Sequence, residues 1–170
     1  MNETAIQSFD AAIGDDPHLL ILGSIPGVKS LQEHAYYAHP RNAFWPIMTH
    51  LYQLDSHAPY QEKLSQLNAA GVALWDVAQE CVRPGSLDSN IKQNSVIANP
   101  IQALLAQYPS INAVAFNGQA AAKLFKRHHS ALLENEPFQF YTLPSTSPAH
   151  ASLNFEAKLK AWSVILNAKP

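Results

Sequence analysis

Residues 19–48, LLILGSIPGVKSLQEHAYYAHPRNAFWPIM, decide the fold that this sequence predicts. The opening apolar run, LLIL, is typical of a strand that is buried on both faces of a parallel sheet. The run breaks at GSIPG, residues 23–27, and a polar loop with histidines and tyrosines follows it. A strand that ends in such a turn delivers its loop to the carboxyl edge of the sheet, where open α/β folds bind ligands. We therefore expect the functional site at this edge.

The hydrophobic pattern predicts strands that alternate with helices along the rest of the chain. The predicted strands are residues 18–22, 72–77, 111–116 and 138–143. The predicted helices are residues 4–13, 42–52, 59–70, 100–108, 120–129 and 155–166. The predicted loops include residues 23–40 and 82–93. Alternation of this kind favours a parallel sheet that is covered on both faces and joined by right-handed crossovers. We predict a single domain, residues 1–170, with a three-layer α/β/α sandwich around a central four-stranded parallel sheet.

Length, charge and cysteine content limit the class of protein. The 170 residues fit one domain with one sizeable core, and the formal net charge of −2 argues against a strong nonspecific nucleic-acid binder. No apolar run approaches the ~20 residues that a membrane span needs, and the acidic N-terminus is unlike a signal peptide. We therefore expect a cytoplasmic protein. A single cysteine, Cys81, excludes an internal disulfide and a cysteine-rich metal site, and its apolar context predicts a buried thiol.

Loops that follow the predicted strands carry the polar side chains that could do chemistry. Asn42 and Asn117 stand where a loop passes into a helix, and PSTSPAH, residues 144–150, follows the fourth strand. Asp76 supplies a further polar group near the end of the second strand. A carboxamide has a donor and an acceptor, so it can read a nucleobase edge or hold a water molecule, but it is no general base near neutral pH. Both asparagines could instead only cap their helices.

Other kinds of site fit the sequence less well. Ser24 lacks the G-x-S-x-G spacing of a nucleophile elbow, and residues 23–27 match neither a phosphate loop nor a dinucleotide-binding turn. His34 and His39 lie in a loop without metal-site spacing or a clear carboxylate companion. We therefore predict no metal and no cofactor. Phe44 closely follows the first asparagine and could stack on a flat ligand or pack in the core.

The motif GSIPG followed by AYYAHPRNAFW resembles the first motif region of the uracil-DNA glycosylase superfamily. With the later motifs AFNG and PSTSPAH, the sequence is most similar to the hypoxanthine-DNA glycosylase (DNA-deoxyinosine glycosylase) branch, and the likeness covers nearly the whole chain as an order of strands and motifs. The resemblance implies an enzyme that flips a deaminated base out of DNA and hydrolyses its N-glycosidic bond in base excision repair. We expect a metal-free monomer whose partner is DNA that contains a deaminated base.

The resemblance also implies roles for individual residues. Asn42 would be a catalytic amide, and Asn117 would support catalysis or base reading. Gly23 and Ser24 would contact the base, and Phe44 would stack on it. The loop that presses on the DNA backbone would contribute four side chains: Ser145, Thr146, Ser147 and His150.

Two positions depart from the pattern of many superfamily members. Ile25 stands where an Asp or Asn usually positions the attacking water, and Leu143 stands where a His or Asn usually precedes Pro-Ser. Both departures argue against an ordinary uracil glycosylase and agree with the hypoxanthine branch. A uracil or mismatch-specific glycosylase, and a noncatalytic module that binds a nucleotide or damaged DNA, remain alternatives. His39 and His150 are candidates to protonate a departing purine, although each could also be a structural histidine.

Overall fold

The computed structural model describes residues 4–134 and 137–170, so residues 1–3 and 135–136 of the predicted domain lie outside the described residues. The strands are β1 (Ala5–Gln7), β2 (Leu19–Gly23), β3 (Val72–Asp76), β4 (Ala78–Val82), β5 (Ile97–Ala98), β6 (Ala113–Asn117) and β7 (Gln139–Leu143). The helices are α1 (Val28–Glu33), α2 (Phe44–Tyr52), α3 (Tyr60–Ala69), α4 (Ile101–Gln107), α5 (Gln119–Leu133) and α6 (Phe155–Trp162). Short 3₁₀ turns span Asp88–Asn90, Gln93–Ser95 and Ser163–Asn167.

The centre of the fold is a four-stranded parallel sheet in the order β3-β2-β6-β7. The middle strand β2 pairs with β3 on one side and with β6 on the other, so its LLIL run has no exposed edge. Gly23 is in register with Asp76 across one pair, and Asn117 is in register with Leu143 across another. The predicted sheet is therefore confirmed, and the ends of its strands lie side by side at one edge.

Helices cover both faces of this sheet and make the three layers that were predicted. Successive β2 side chains point to opposite faces, so Leu20 and Leu22 join one apolar cluster, whereas Leu19 and Ile21 join the other. The first cluster includes side chains of α4 and α5, and the second includes those of α2, α3 and α6. The fully buried helix residues that pack there include Ile101, Phe125, Phe44, Ile47, Met48, Leu67 and Trp162.

A second, smaller sheet was not predicted, and the helix expected at residues 4–13 is wrong. Residues 5–7 form β1, which pairs antiparallel with β4, and β4 pairs antiparallel with the two-residue strand β5. A ten-residue amphipathic segment is marginal as a helix by itself, and the ladder to β4 supplies its backbone with long-range partners instead. Cys81 on β4 is fully buried in the core, as its context predicted.

The long loop that was expected over residues 23–40 is also partly wrong, because α1 lies within it. His34 ends α1 in the left-handed region, with φ of 52°, and Tyr37 has φ of 56°. These two turns fold the chain back, so that Tyr37 lies against the edge of the sheet near Gly23. None of the helices in the described ranges has the length and apolar character that crossing a membrane requires.

Candidate active site

A cavity of about 450 Å³ opens at the carboxyl edge of the parallel sheet. That volume is within the range of small-molecule sites. The lining comes from segments that are distant in sequence: residues 23–30, 36–42, 86–88 and 145–149, together with Asp76 and Asn117. The edge that the sequence predicted as the functional site therefore carries a cavity, and both candidate asparagines line it.

Asn42 lies one residue before the N-cap of α2, which is Ala43, and it lines the cavity. Its Oδ1 accepts a hydrogen bond from the backbone N–H of Phe44 at 2.9 Å, which closes an Asx-turn just before α2. The next residue, Ala43, donates its backbone N–H to the carbonyl oxygen of Thr146 at 2.9 Å, which joins this turn to the loop after β7. The Asx-turn holds the carboxamide in one orientation and leaves its NH₂ group without a protein partner among the described residues. The alternative that Asn42 serves only as a helix cap is therefore not supported, and its catalytic role stays a prediction.

Asn117 binds Thr146 through both ends of its carboxamide. Its Nδ2 donates to Thr146 Oγ1 at 3.0 Å, and its Oδ1 accepts from the backbone N–H of Thr146 at 2.9 Å. Both residues are buried. Gly118 follows with φ of 97°, and a Cβ there would lie 3.1 Å from the Cβ of Ser145. Glycine at this position lets the loop of residues 144–150 approach the end of β6 closely.

Gly23 leaves room for two side chains that line the cavity. A Cβ at Gly23 would lie 2.6 Å from Asp76 Oδ1 and 3.3 Å from the hydroxyl oxygen of Tyr37. Asp76 is only 4% exposed, and its Oδ2 has no hydrogen-bond partner within the described ranges. Burial, with a smaller contribution from Asp88, raises the pKa of Asp76 to about 7, although Arg83 opposes the shift. A carboxyl group that titrates near neutral pH therefore faces the cavity.

Ser24 connects the first turn to a loop that the sequence did not single out. Its Oγ donates to Asp88 Oδ1 at 2.6 Å, and Ser86 Oγ accepts from the backbone N–H of Val28 at 3.1 Å. Ser86 and Asp88 line the cavity with Leu87, which is 51% exposed. These residues follow β4, and they were missed because β4 was not predicted. The signal was present, since RPGSLDSN is a polar loop that follows a strand, like the loops that were selected.

Phe44 is fully buried and does not line the cavity. The ring of Tyr37 stacks on it, with ring centroids 4.0 Å apart and an interplanar angle of 27°. Tyr37 therefore lies between Phe44 and the cavity, which Tyr36 and Tyr37 both line, and neither tyrosine was among the predicted site residues. Direct stacking of Phe44 on a base stays a prediction, and it requires movement of the Tyr37 ring.

The loop of residues 144–150 divides into inward-facing and outward-facing groups. Ser145 and Ser147 line both the main cavity and a neighbouring cleft, whereas Thr146 is 1% exposed and holds Asn117. His150 lines the cleft and lies 3.3 Å from the hydroxyl oxygen of Ser152. The buried Thr146 side chain is already bound to Asn117, which leaves it poorly placed for its predicted contact with DNA. The predicted DNA contacts of Ser145, Ser147 and His150 stay predictions, and these three residues line the cavity or the cleft.

The described residues include no group of three or more His, Cys, Asp and Glu side chains that is arranged to hold a metal ion. The absence of metal and cofactor stays a prediction.

His39, which was considered as a proton donor, lines the cavity, and its Nδ1 accepts the backbone N–H of Arg41 at 3.1 Å. His34 is exposed and is not part of the lining.

The fold agrees with comparisons to known proteins. The family model of the uracil DNA glycosylase superfamily matches residues 12–167, and the chain belongs to this superfamily of enzymes that hydrolyse N-glycosyl bonds. A protein of Methanosarcina acetivorans named hypoxanthine DNA glycosylase is 31% identical over 91% of this chain and 96% of its own length. A protein of Methanosarcina barkeri with the same name is 34% identical over 69% of this chain and 73% of its own length.

A solved structure extends the likeness to three dimensions. The solution NMR structure of a candidate uracil DNA glycosylase from Methanosarcina acetivorans has a TM-score of 0.77 and 29% sequence identity to this chain. The superposition covers 96% of this chain and 99% of that one. The predicted fold class and family resemblance are therefore confirmed.

Proposed function

We propose that this protein removes hypoxanthine from DNA by hydrolysing the N-glycosidic bond of deoxyinosine, as the first step of base excision repair. The observation that carries the proposal is the convergence of the Asn42 carboxamide, the turn of residues 23–27 and the loop of residues 144–150 on one cavity. The curated relatives named hypoxanthine DNA glycosylase support the choice of base.

The reaction needs two kinds of help that this cavity can provide. A flipped nucleotide would place its base among the buried polar groups that line the cavity and its sugar beside Asn42. The Oδ1 atom of Asn42 has a second lone pair beyond its bond to Phe44, and its NH₂ group has no protein partner among the described residues. Together they would hold the attacking water. Fixed donors toward the base would stabilise the charge that develops on the departing purine.

The outer rim would bind the DNA backbone. Polar groups line the main cavity and the neighbouring cleft, and they include the side chains of Ser145, Ser147 and His150. The exposed Arg41 adds a cation to the lining of the main cavity. Contacts of this kind fix the register of a nucleic acid without reading its sequence. Asn117 would act indirectly, because its two hydrogen bonds to Thr146 hold the loop of residues 144–150 in place.

The test measures base release from duplex oligonucleotides that carry hypoxanthine, uracil or xanthine, with alkali to break the abasic product. We expect hypoxanthine to be released, and Asn42→Ala to lower the single-turnover rate by at least ~100-fold while the fold persists. Asn94→Ala is the matched control, because Asn94 is an exposed asparagine in the short turn Gln93–Ser95, far from the cavity lining. Full activity of Asn42→Ala would contradict the amide role, and DNA binding without any abasic product would favour a noncatalytic module.

A uracil or mismatch-specific glycosylase is the second candidate, supported by the name of the superfamily and by the structural neighbour. Ile25 lies at the cavity where other members place a polar residue, and it is 6% exposed. That apolar contact weighs against the water geometry of an ordinary uracil glycosylase. Release of uracil alone from the same oligonucleotides would favour this second candidate.

We further propose that residues 1–170 act as one glycosylase-like domain, as a monomer and without a metal or cofactor. The cytoplasmic location stays a prediction. Unchanged base release in excess EDTA, together with a monomer mass by light scattering, is the expected result. A dimer mass or loss of activity with the chelator would overturn these points.

A further inference from the structure

Asp76 is a buried carboxyl group at the cavity that the chemistry above does not use. It is the last residue of β3, its side chain is 4% exposed, and it lines the same cavity as Asn42 and Asn117. Its Oδ2 has no hydrogen-bond partner among residues 4–134 and 137–170. A buried polar atom without a partner destabilises the fold, which indicates that a ligand completes the hydrogen bonding of this oxygen.

The surroundings of Asp76 favour its neutral form. Tyr37 and Gly23 lie against its carboxyl group, and Asp88, held by Ser24, adds a second negative charge nearby. The nearby cation is Arg83, which lowers the pKa of Asp76, yet no ion pair joins the two within the described ranges. Instead, the guanidinium donates from Nε to the carbonyl oxygen of Gly85 at 2.8 Å.

Burial and the Asp88 carboxylate together raise the pKa of Asp76 to about 7, against the opposing effect of Arg83. A large fraction of the enzyme therefore carries a protonated Asp76 near neutral pH. A protonated carboxyl group can donate, which a carboxylate cannot do. The same cavity thus contains a proton donor, Asp76, and the amide that would hold the water, Asn42.

We propose that the Asp76 carboxyl group protonates the purine as the N-glycosidic bond breaks. This inference rests on the proposed function. The C1′–N9 bond breaks with its electron pair going to N9, and a ring nitrogen of the base takes the proton from Asp76, so that hypoxanthine leaves as a neutral molecule. Water bonds to C1′ through its oxygen and gives a proton to the Asp76 carboxylate. One water is consumed, and the carboxyl group returns to its starting state.

Asp76 fits this role better than the histidines that the sequence offered. His150 lies outside the main cavity, in the neighbouring cleft. His39 lines the cavity from a surface loop, and its Nδ1 already accepts the Arg41 backbone N–H. The role also gives a reason for purine preference, since hypoxanthine has basic ring nitrogens at N3 and N7, whereas uracil has no basic ring nitrogen.

The first arm of the test compares Asp76→Asn with the wild type in single-turnover assays on hypoxanthine-containing DNA. Asparagine keeps the shape but cannot transfer a proton, so we expect the rate to fall by ~100-fold or more, as for loss of a general acid. Binding to DNA with a non-cleavable deoxyinosine analogue should change by less than about threefold, since the contact area is kept. Asp15→Asn is the matched control, because Asp15 is exposed and outside the cavity lining.

The second arm separates proton donation from a structural role. In weakly acidic buffer, where N1 keeps its proton, DNA with N7-methylated hypoxanthine carries a leaving group that is already cationic and needs no further proton. We expect the defect of Asp76→Asn to shrink by at least ~10-fold on this substrate in that buffer. The wild-type rate on unmodified hypoxanthine should fall as the pH rises through about 7.

An equal defect of Asp76→Asn on both substrates, or an unchanged rate and pH profile on hypoxanthine, would overturn the proton-donor role and leave the proposed function intact. The wild-type pH profile on unmodified hypoxanthine tests the same role without any variant, should Asp76→Asn fail to fold, since a rate that does not fall through about pH 7 would overturn the proton-donor role. A wild type that releases no hypoxanthine at all would overturn the proposed function and this inference together.

Discussion

The Asn117 carboxamide and Thr146 are bound to each other at two points, through Thr146 Oγ1 at 3.0 Å and through the Thr146 backbone N–H at 2.9 Å. This pair joins the end of β6 to the loop after β7, and Thr146 in turn accepts the backbone N–H of Ala43 beside Asn42. The relative positions of Asn42, the proposed catalytic amide, and the predicted DNA-binding loop therefore depend on one buried side-chain pair.

Asn117→Ala is expected to destabilise the fold by about 1–3 kcal/mol, because it leaves the buried N–H and hydroxyl of Thr146 without their partner. Thr146→Val should have a related effect through the loss of Oγ1, whereas Thr146→Ser keeps both bonds and serves as the control. Urea denaturation measures the stability, and base release measures the effect on the site. Wild-type stability of Asn117→Ala would show that the pair is not structurally important.

Gly23→Ala is expected to lower both stability and base release. The new Cβ would lie 2.6 Å from Asp76 Oδ1, and the carboxyl group would have to move within a packed site, at a cost of about 1–3 kcal/mol. Gly27→Ala is the control for stability, since its Cβ would meet only Ser86 Oγ, at 4.0 Å, and its φ of −70° suits alanine. Equal melting temperatures for the two variants would contradict the close approach.

Asp76→Asn is expected to stabilise the protein at about pH 8 but hardly at about pH 4. The folded protein holds the Asp76 proton up to a pKa of about 7, whereas the ordinary value is 3.8, so the free energy of unfolding falls as the pH rises between these values. The gain at pH 8 has an upper limit of about 4 kcal/mol, because each pKa unit is worth about 1.4 kcal/mol.

Chemical denaturation at several pH values measures this effect, with Asp15→Asn as a control that should not change the pH dependence. Parallel stability curves for Asp76→Asn and the wild type would show that Asp76 is ionised normally in the folded state. If Asp76→Asn is more stable than the wild type but releases the base more slowly, the ionisable side chain of Asp76 lowers stability and is needed for activity.

Ser24→Ala is expected to keep base release within about tenfold of the wild type, since the Ser24 hydroxyl donates to Asp88 in a contact that joins two loops and has no part in the proposed chemistry. Its loss should loosen the loop of residues 86–88, which would appear as weaker DNA binding rather than as a lost chemical step. Complete loss of base release with intact binding would contradict this structural role.

Local pattern was sufficient to predict the central sheet and the helices that cover it. The run of residues 19–22 is apolar and ends at a glycine and proline turn, which defines a buried strand without knowledge of its neighbours. When such strands alternate with amphipathic helices, the rule of right-handed crossovers leaves only a few possible topologies for the sheet. The position of Asn42 at a loop-to-helix junction and the burial of Cys81 followed from the same local signals.

The sequence by itself therefore determined the sheet, the edge of the sheet that carries the cavity, and the types of residue that line it. Only the tertiary structure decided which groups meet at that edge: Tyr37 lies over Phe44, Asp88 lies near Asp76, and Thr146 turns inward to Asn117. It also turned residues 5–7 into a strand against β4. Thr146 and Asn117 are distant along the chain, as are β1 and β4, and Tyr37 meets Phe44 because the chain folds back after α1. Hydrophobic periodicity and turn chemistry report only on neighbours a few residues apart.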